Sequence, residues 1–217
     1  MKIGFYISGK ATRFSKILAI DHPEMLESIK VVFSDDRTND YLEAELSRLG
    51  IPYVLLNYPD IPSEEKDKNL FLSDALLEQL KKYEIDYCMS FGAHILKGEI
   101  LEEYENKMIN FHPSLLPQFP GIDAIDQAVH ANASIIGNTA HFIDEGVDTG
   151  PVILQSFQHV NVFFEKGYDG ILDTQVGMYE HLYSLLRDKK IKVMDEKVYI
   201  EGADYSACNI FPHLPEG

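Results

Sequence analysis

Residues Ile3–Ser8 read IGFYIS, a continuous apolar run that is typical of a strand buried on both faces. A helix is predicted directly after it, from about Thr12 to Ile20, and a second buried strand follows as IKVVFS (Ile29–Ser34). Further apolar runs continue this order and are YVLLN (Tyr53–Asn57), YCMSF (Tyr87–Phe91) and MINF (Met108–Phe111). The alternation predicts an α/β fold, with a mostly parallel sheet and helices on both of its faces.

Helices between these strands are predicted where apolar residues recur on one face. Asn39 is placed to cap one helix, and Gly50 is placed to end it. A longer helix is expected after Pro62. Its buried stripe would be Leu72, Leu76, Leu80 and Tyr83.

The last third of the chain has a different pattern. NTAHFI (Asn138–Ile143) and VILQSFQHV (Val152–Val160) alternate in part, which predicts antiparallel strands that extend the sheet. A helix is expected from about Ile171 to Arg187, and a hairpin over Lys192–Ile200. No internal repeat or linker divides the sequence, so we expect a single domain over residues 1–217.

The charge balance excludes one class of partner. With 19 Lys and Arg against 35 Asp and Glu, the formal net charge is −16, which argues against general affinity for nucleic acid because that affinity needs clustered basic side chains. A small anionic substrate stays open. The apolar N-terminal run is too short for a signal peptide or membrane span, and Cys88 and Cys208 alone form no disulfide framework or metal cluster. We expect a cytoplasmic protein without a membrane partner or a metal, of undetermined oligomeric state.

The turn after the first strand carries donors for an anion. Gly4 to Lys10 has the spacing of a nucleotide-binding P-loop, but Ala11 replaces the required Ser or Thr and strand residues fill the loop. A simpler anion site is compatible with the sequence, because N–H groups are free where a strand turns into a helix. Its candidate residues are Ser8, Gly9, Lys10, Thr12 and Arg13. The alternative is an ordinary turn with solvated charges.

A second polar group follows the predicted strand that ends at Phe111. Asn110 and His112 lie in INFHPSLLPQFPG (Ile109–Gly121), at the carboxyl end of a parallel strand, where α/β folds bind ligands. HFIDEGVDTGPVI (His141–Ile153) adds carboxylates in a loop bounded by glycines. Asn, His and Asp together suit acyl transfer, because Asn and His donate to an oxyanion while Asp orients the imidazole and favours its cation. A structural histidine and a solvated acidic turn are the alternatives.

These motifs resemble those of the folate-dependent formyltransferases, and most of all the glycinamide ribonucleotide transformylases. The resemblance covers nearly the whole chain and is carried by ISG, VFSDD, G-x-x-IL, NFHPSLLP and HFIDEGVDTGPVILQ. It implies a Rossmann-like formyltransferase fold. It also implies an N-formyltransferase that uses 10-formyltetrahydrofolate as the formyl donor and a primary amine as the acceptor.

The resemblance assigns roles to individual residues. Asn110, His112 and Asp148 match the catalytic trio of the family, and His141 matches a position beside the site. The strip whose backbone holds the pterin of the folate is matched by Ala93, His94, Ile95 and Leu96. The loop that closes over the pterin is matched by Asp144, Glu145, Gly146 and Val147. Glu180 matches a carboxylate that contacts the ribose of the acceptor.

The acceptor side departs from the family pattern. Ala11, Thr12 and Arg13 stand where the family has Gly-Ser-Asn. Asp123, Asp126 and Gly177 also replace different family residues. We therefore expect a phosphorylated small-molecule amine as the acceptor, with a nucleotide-linked amino sugar favoured and glycinamide ribonucleotide as the alternative.

Three other functions are alternatives for a chain with these residues. A 10-formyltetrahydrofolate hydrolase would use the same trio with water as acceptor, but it usually carries an additional N-terminal regulatory domain. A transfer RNA formyltransferase needs a basic C-terminal domain, which the length and charge do not provide. A folate-binding protein without activity would have lost the trio.

Overall fold

The computed structural model describes residues 1–62, 64–206 and 211. The strands are β1 (Ile3–Ile7), β2 (Ile29–Ser34), β3 (Tyr53–Leu55), β4 (Tyr87–Phe91), β5 (Met108–His112), β6 (Ile135–Phe142), β7 (Val152–His159), β8 (Ile191–Met194) and β9 (Lys197–Ile200). The α-helices are α1 (Thr12–Leu18), α2 (Pro23–Ser28), α3 (Glu43–Arg48), α4 (Lys68–Lys82), α5 (Glu99–Glu103), α6 (Ala124–His130), α7 (Asn161–Lys166) and α8 (Tyr168–Arg187). Two 3₁₀ segments span Arg37–Leu42 and Tyr58–Asp60.

One seven-stranded sheet organises the described residues, in the order β3-β2-β1-β4-β5-β6-β7. Strands β1 to β5 pair in parallel, whereas β6 and β7 pair antiparallel beyond β5. The predicted α/β fold and its antiparallel extension are therefore confirmed. From β1 the chain continues to β2 and β3 on one side of β1, and it then crosses to β4 on the other side. Ligands of such sheets bind at the carboxyl ends of strands beside this switch point.

Both faces of the central strand are covered. On β1, Phe5 packs against Phe14 of α1 and Tyr179 of α8. The next residue, Tyr6, lies on the opposite face in a cluster with Leu76 of α4. Because neither face meets water, every position of β1 is buried and the strand has a continuous apolar sequence.

The helix expected to begin at Asn39 starts differently. Residues Arg37–Leu42 form a 3₁₀ segment, and the cap is Asp36, whose carboxylate accepts the N–H of Thr38 at 2.8 Å. Asn39 is buried instead, and its amide donates to the hydroxyl of Ser34 at 3.0 Å. The cap prediction was wrong because the 3₁₀ segment already begins at Arg37, so Asp36, the residue directly before it, takes that role.

The C-terminal hairpin is confirmed as a separate two-stranded sheet of β8 and β9. Its two turn residues, Asp195 and Glu196, have positive φ angles of 49° and 58°, which suit a tight hairpin turn. Cys88 is a buried free thiol, and Cys208 lies outside the described residues. No helix in the described part of the chain is long and apolar enough to span a membrane.

Candidate active site

The side chains of the predicted trio meet at the carboxyl end of β5. Asn110 and His112 are two residues apart on this strand, so they face the same side of the sheet. Asp148 comes from the loop between β6 and β7 and has a positive φ of 55°. Its Oδ2 lies 3.2 Å from Nδ1 of His112. The structure thus brings an imidazole and a carboxylate together from segments far apart in sequence.

The ring of His112 is fixed on both of its nitrogens. Nδ1 faces Asp148, and Nε2 lies 2.8 Å from the carbonyl oxygen of Phe119. Both partners are hydrogen-bond acceptors, and the side chain is buried, with 6% of its surface exposed. Each contact is satisfied when the ring nitrogen that faces it carries a proton.

Asp148 receives three contacts. The backbone N–H of Gly121 donates to Oδ2 at 2.8 Å, and Nε2 of His141 lies 3.5 Å from Oδ1. Burial alone raises the pKa of the Asp148 carboxyl, but the contacts from His141, Gly121 and His112 outweigh burial and hold this pKa below its ordinary value. Asp148 is therefore ionised at neutral pH and can balance the charge of an adjacent imidazolium.

His141 is placed beside the trio by strand pairing. It lies opposite Asn110 in the antiparallel register of β5 and β6. Its Nδ1 lies 2.8 Å from the carbonyl oxygen of Phe142, which fixes the proton on that nitrogen and turns Nε2 toward Asp148. Nε2 itself is buried and makes no hydrogen bond among the described residues.

A cleft opens next to these side chains, between the end of β4 and the loop before β7. It is lined by Asn110, His141 and Asp148 and by most of the residues expected to hold the folate. Those lining residues are Ala93, His94, Ile95, Leu96, Asp144, Gly146 and Val147, while Glu145 is exposed outside the lining. The cleft therefore joins the predicted donor residues to Asn110 and Asp148, whereas His112 is buried behind them and does not line it.

The segment Ala93–Leu96, which we call the donor strip, is anchored to the sheet beneath it. The N–H of Ala93 donates to the hydroxyl of Ser8 at 2.8 Å, and Leu96 is buried while Ile95 is exposed. Gly92, just before the strip, packs directly on the ring of Tyr6, where an added Cβ would lie 1.9 Å from a ring carbon. Only glycine therefore fits at this position.

The loop opposite the donor strip is held by its own carboxylate. Asp144 accepts the N–H of Gly146 at 3.0 Å and the hydroxyl of Thr149 at 2.8 Å. The chain then passes very close to β6, because a Cβ on Gly150 would lie 2.0 Å from the carbonyl oxygen of Phe142. These contacts fix the loop that carries Asp148.

The residues predicted to hold the acceptor are not all together. Gly9, Lys10 and Thr12 are exposed in the turn before α1, where Thr38 and Tyr41 donate to the carbonyl oxygens of Gly9 and Lys10, both at 2.8 Å. None of the predicted acceptor residues lines the cleft. The Ser8 hydroxyl makes hydrogen bonds within the protein, to the carboxylate of Asp35 and with the N–H of Ala93.

Arg13 and Glu180 also lie outside the cleft lining, in different settings. The guanidinium of Arg13 lies 4.4 Å from the ring centre of Phe91, and its Nε is buried without a hydrogen bond. Burial lowers the pKa of Arg13 to about 10. Glu180 lies on the exposed side of α8, one position beyond the buried Tyr179.

One buried carboxylate near the cleft was not singled out from the sequence. Asp35, directly after β2, contacts Tyr6, Ser8 and His94. The signal in the sequence was a carboxylate placed immediately after a buried strand, within VFSDD. In the described part of the chain, no group of three or more His, Cys, Asp or Glu side chains is arranged to hold a metal ion.

Comparison with known proteins identifies the family of the chain. Residues 1–169 match the family described as "Formyl transferase". The chain is 34% identical over 155 residues to "Phosphoribosylglycinamide formyltransferase" of Bacillus subtilis (strain 168), a match that covers 71% of this chain and 77% of that protein. It is 31% identical over 157 residues to the human "Trifunctional purine biosynthetic protein adenosine-3", covering 71% of this chain and only 15% of that protein.

A solved structure extends the similarity to the fold. The glycinamide ribonucleotide transformylase 1 from Symbiobacterium toebii superposes with a TM-score of 0.79 at 30% sequence identity. The superposition covers 92% of this chain and 93% of that one. Sequence and fold therefore lead to the same group of proteins.

Proposed function

The chain belongs to the formyl transferase family, and from that premise we propose that it transfers a formyl group from 10-formyltetrahydrofolate to the amine of glycinamide ribonucleotide. The observation that carries the proposal is the His112–Asp148 pair at 3.2 Å, placed with Asn110 beside the cleft that contains the donor strip. N-formyltransferase activity and the folate donor follow from the family. The identity of the acceptor is the part of the proposal that goes beyond the family assignment.

The relatives favour glycinamide ribonucleotide over the nucleotide-linked amino sugar that the acceptor-side residues alone favour. The bacterial relative and the solved structure are both named for the glycinamide ribonucleotide reaction, and the human relative is named for purine biosynthesis. The preference for a sugar depended partly on Asp123 and Asp126. Both side chains are exposed at the start of α6, where solvent screens their charge, so they are a weaker obstacle to a phosphate than the sequence suggested.

The reaction uses the trio as follows. The neutral amine of the acceptor attacks the formyl carbon, a new C–N bond forms, and the formyl oxygen becomes an oxyanion. Asn110 donates to that oxygen, and the imidazolium of His112 does so once its Nε2–H leaves the carbonyl oxygen of Phe119. As the intermediate collapses, the bond from carbon to N10 of the folate breaks. The amine loses a proton and N10 gains one, with Asp148 as the carboxylate placed to relay it.

The phosphate of the acceptor needs a cation, and Arg13 supplies the best candidate. Its guanidinium is packed on Phe91 and makes no ion pair with a carboxylate in residues 1–62, 64–206 or 211. An unpaired charge that is partly removed from water, as in the half-buried Arg13, is costly in the free protein, and an anionic ligand relieves that cost. Lys10 and Thr12, exposed in the adjoining turn, would complete the contact with the phosphate.

Ligand-dependent melting of the unmodified protein tests both halves of the proposal. The proposal predicts that 5-formyltetrahydrofolate raises the melting temperature, and that the rise grows as its concentration exceeds its dissociation constant. Glycinamide ribonucleotide should do the same, while a uridine diphosphate amino sugar should not. A melting curve that saturating folate leaves unmoved would contradict the donor assignment, and stabilisation by the sugar alone would contradict the acceptor.

A further inference from the structure

A second carboxylate–imidazole pair lies on the opposite side of the cleft from the trio. Asp35 is fully buried, and its Oδ2 lies 2.7 Å from Nδ1 of His94. The hydroxyls of Tyr6 and Ser8 also donate to this carboxylate, that of Ser8 at 2.5 Å. Because the carboxylate accepts, Nδ1 of His94 carries a proton in this contact. Burial and the charge of Asp35 raise the pKa of the Tyr6 phenol, which keeps Tyr6 a donor.

These contacts attach the donor strip to two neighbouring strands. Ser8, directly after β1, links Asp35 to the strip. Its hydroxyl donates to the carboxylate and accepts the N–H of Ala93 at 2.8 Å. The next residue of the strip, His94, contacts the same carboxylate directly. Its ring also stacks on Tyr58, with ring centres 3.6 Å apart and planes 16° from parallel. Two consecutive residues of the strip thus depend on one buried side chain.

We propose that Asp35 is a positioning residue for the donor strip, acting on Ala93 through Ser8 and on His94 directly, and that it thereby sets the affinity for the formyl donor. The inference rests on the proposed function, because it takes the cleft beside the strip to be the folate site. Asp35 lies beneath the strip and outside the cleft lining. Its effect is therefore to hold the backbone that a ligand would contact, in the way supporting hydrogen bonds fix a binding residue.

The test compares two substitutions at His94 that separate its contacts. His94→Asn places an amide N–H near the position of Nδ1, so it keeps a donor for Asp35 and loses the stacking ring. His94→Phe keeps a ring against Tyr58 and removes the donor. We expect His94→Phe to raise the dissociation constant of 5-formyltetrahydrofolate, measured by titration calorimetry, by about 10-fold. His94→Asn should stay within about 3-fold of the unmodified protein.

Ser8→Ala provides a second, smaller change. It removes the relay to Ala93 but leaves Tyr6 and His94 on Asp35, so the fold should be preserved. Its dissociation constant for the folate should also rise about 10-fold, while the KM for the amine acceptor stays within about 2-fold. Melting temperatures of all variants show any loss of stability separately from the loss of affinity.

The outcomes distinguish this inference from the proposed function. If the unmodified protein does not bind the folate, the proposed function fails. If it binds, but His94→Phe and Ser8→Ala bind equally well, only the positioning role of Asp35 fails, even if both variants melt earlier. An increase in the acceptor KM of Ser8→Ala with unchanged folate affinity also overturns the inference.

Discussion

Nδ1 of His112 lies 3.2 Å from Oδ2 of Asp148, and the opposite ring nitrogen lies 2.8 Å from the carbonyl oxygen of Phe119. The imidazole is thereby held between two loops, one after β5 and one between β6 and β7. The loops are also joined to each other, because the N–H of Gly121 donates to Asp148 at 2.8 Å. A change in either loop is therefore expected to alter the orientation of the His112 ring.

Substitution of Asp148 should abolish turnover without abolishing binding of the formyl donor. In Asp148→Asn the amide cannot balance the charge of the His112 imidazolium, so we expect turnover to fall by at least about 10²-fold. The melting shift produced by 5-formyltetrahydrofolate should persist. Asp60→Asn is a matched control, since this carboxylate is exposed and pairs with the exposed Arg37. Near-normal turnover by Asp148→Asn would end the role proposed for this residue.

The same carboxylate predicts a dependence of stability on pH. Its contacts hold the pKa of Asp148 below its ordinary value, although burial opposes them. The contribution of the ionised group is therefore complete above the unfolded pKa, near 4, and is lost as the pH falls through the folded pKa. Urea unfolding should show a difference between the unmodified protein and Asp148→Asn that is largest near neutral pH and shrinks toward about pH 3. A difference that grows on acidification would contradict the assignment.

Substitution of Arg13 should weaken binding of the acceptor and leave binding of the folate unchanged. Arg13→Met keeps an apolar stem on Phe91 and removes the unpaired charge, so we expect the acceptor KM to rise by about 10- to 100-fold. Free of ligand, the variant should be at least as stable as the unmodified protein, because the buried cation has no carboxylate partner in the described part of the chain. Arg37→Met, at an exposed arginine, is the control. An unchanged acceptor KM would place the phosphate elsewhere.

Gly177 offers a test of stability that is separate from the trio. It lies within α8, and an added Cβ would meet no atom within 4 Å. Gly177→Ala should therefore raise the free energy of unfolding by about 0.5–1 kcal/mol, since alanine loses less backbone entropy in a helix. Chemical denaturation measures the gain. A loss of stability would show that the space beside this helix is needed by another part of the protein.

The strands were predictable where both of their faces are buried. The bounds of β2 and β4 agree with the predicted Ile29–Ser34 and Tyr87–Phe91, because most positions of each strand are apolar and buried. Strand β6 was predicted from Asn138 but begins at Ile135. Gly137 resembles a strand breaker, yet it is needed within the strand, since a Cβ there would lie 2.3 Å from the carbonyl oxygen of Ser156 on β7. Such a close approach depends on a pairing that local sequence does not reveal.

The site was predictable to the extent that its residues lie in recognisable motifs. Asn110 and His112 follow from the period of one strand, and Asp148 follows from a glycine-bounded loop that resembles the family. Asp35 was not predicted as part of the site, because its partners Tyr6 and His94 lie on other strands or beyond them. Those contacts exist only because β1 lies between β2 and β4 in the sheet. The sequence spacing alone contains no such information.

Formylation of the acceptor itself tests the central claim most directly. The unmodified protein is incubated with 10-formyl-5,8-dideazafolate and glycinamide ribonucleotide, and release of the deformylated folate is followed by absorbance while the formylated product is identified by mass spectrometry. We predict stoichiometric transfer of the formyl group to glycinamide ribonucleotide, and its loss in Asp148→Asn. Folate release without a formylated amine would indicate hydrolysis, and transfer only to a nucleotide-linked amino sugar would likewise contradict the proposed acceptor.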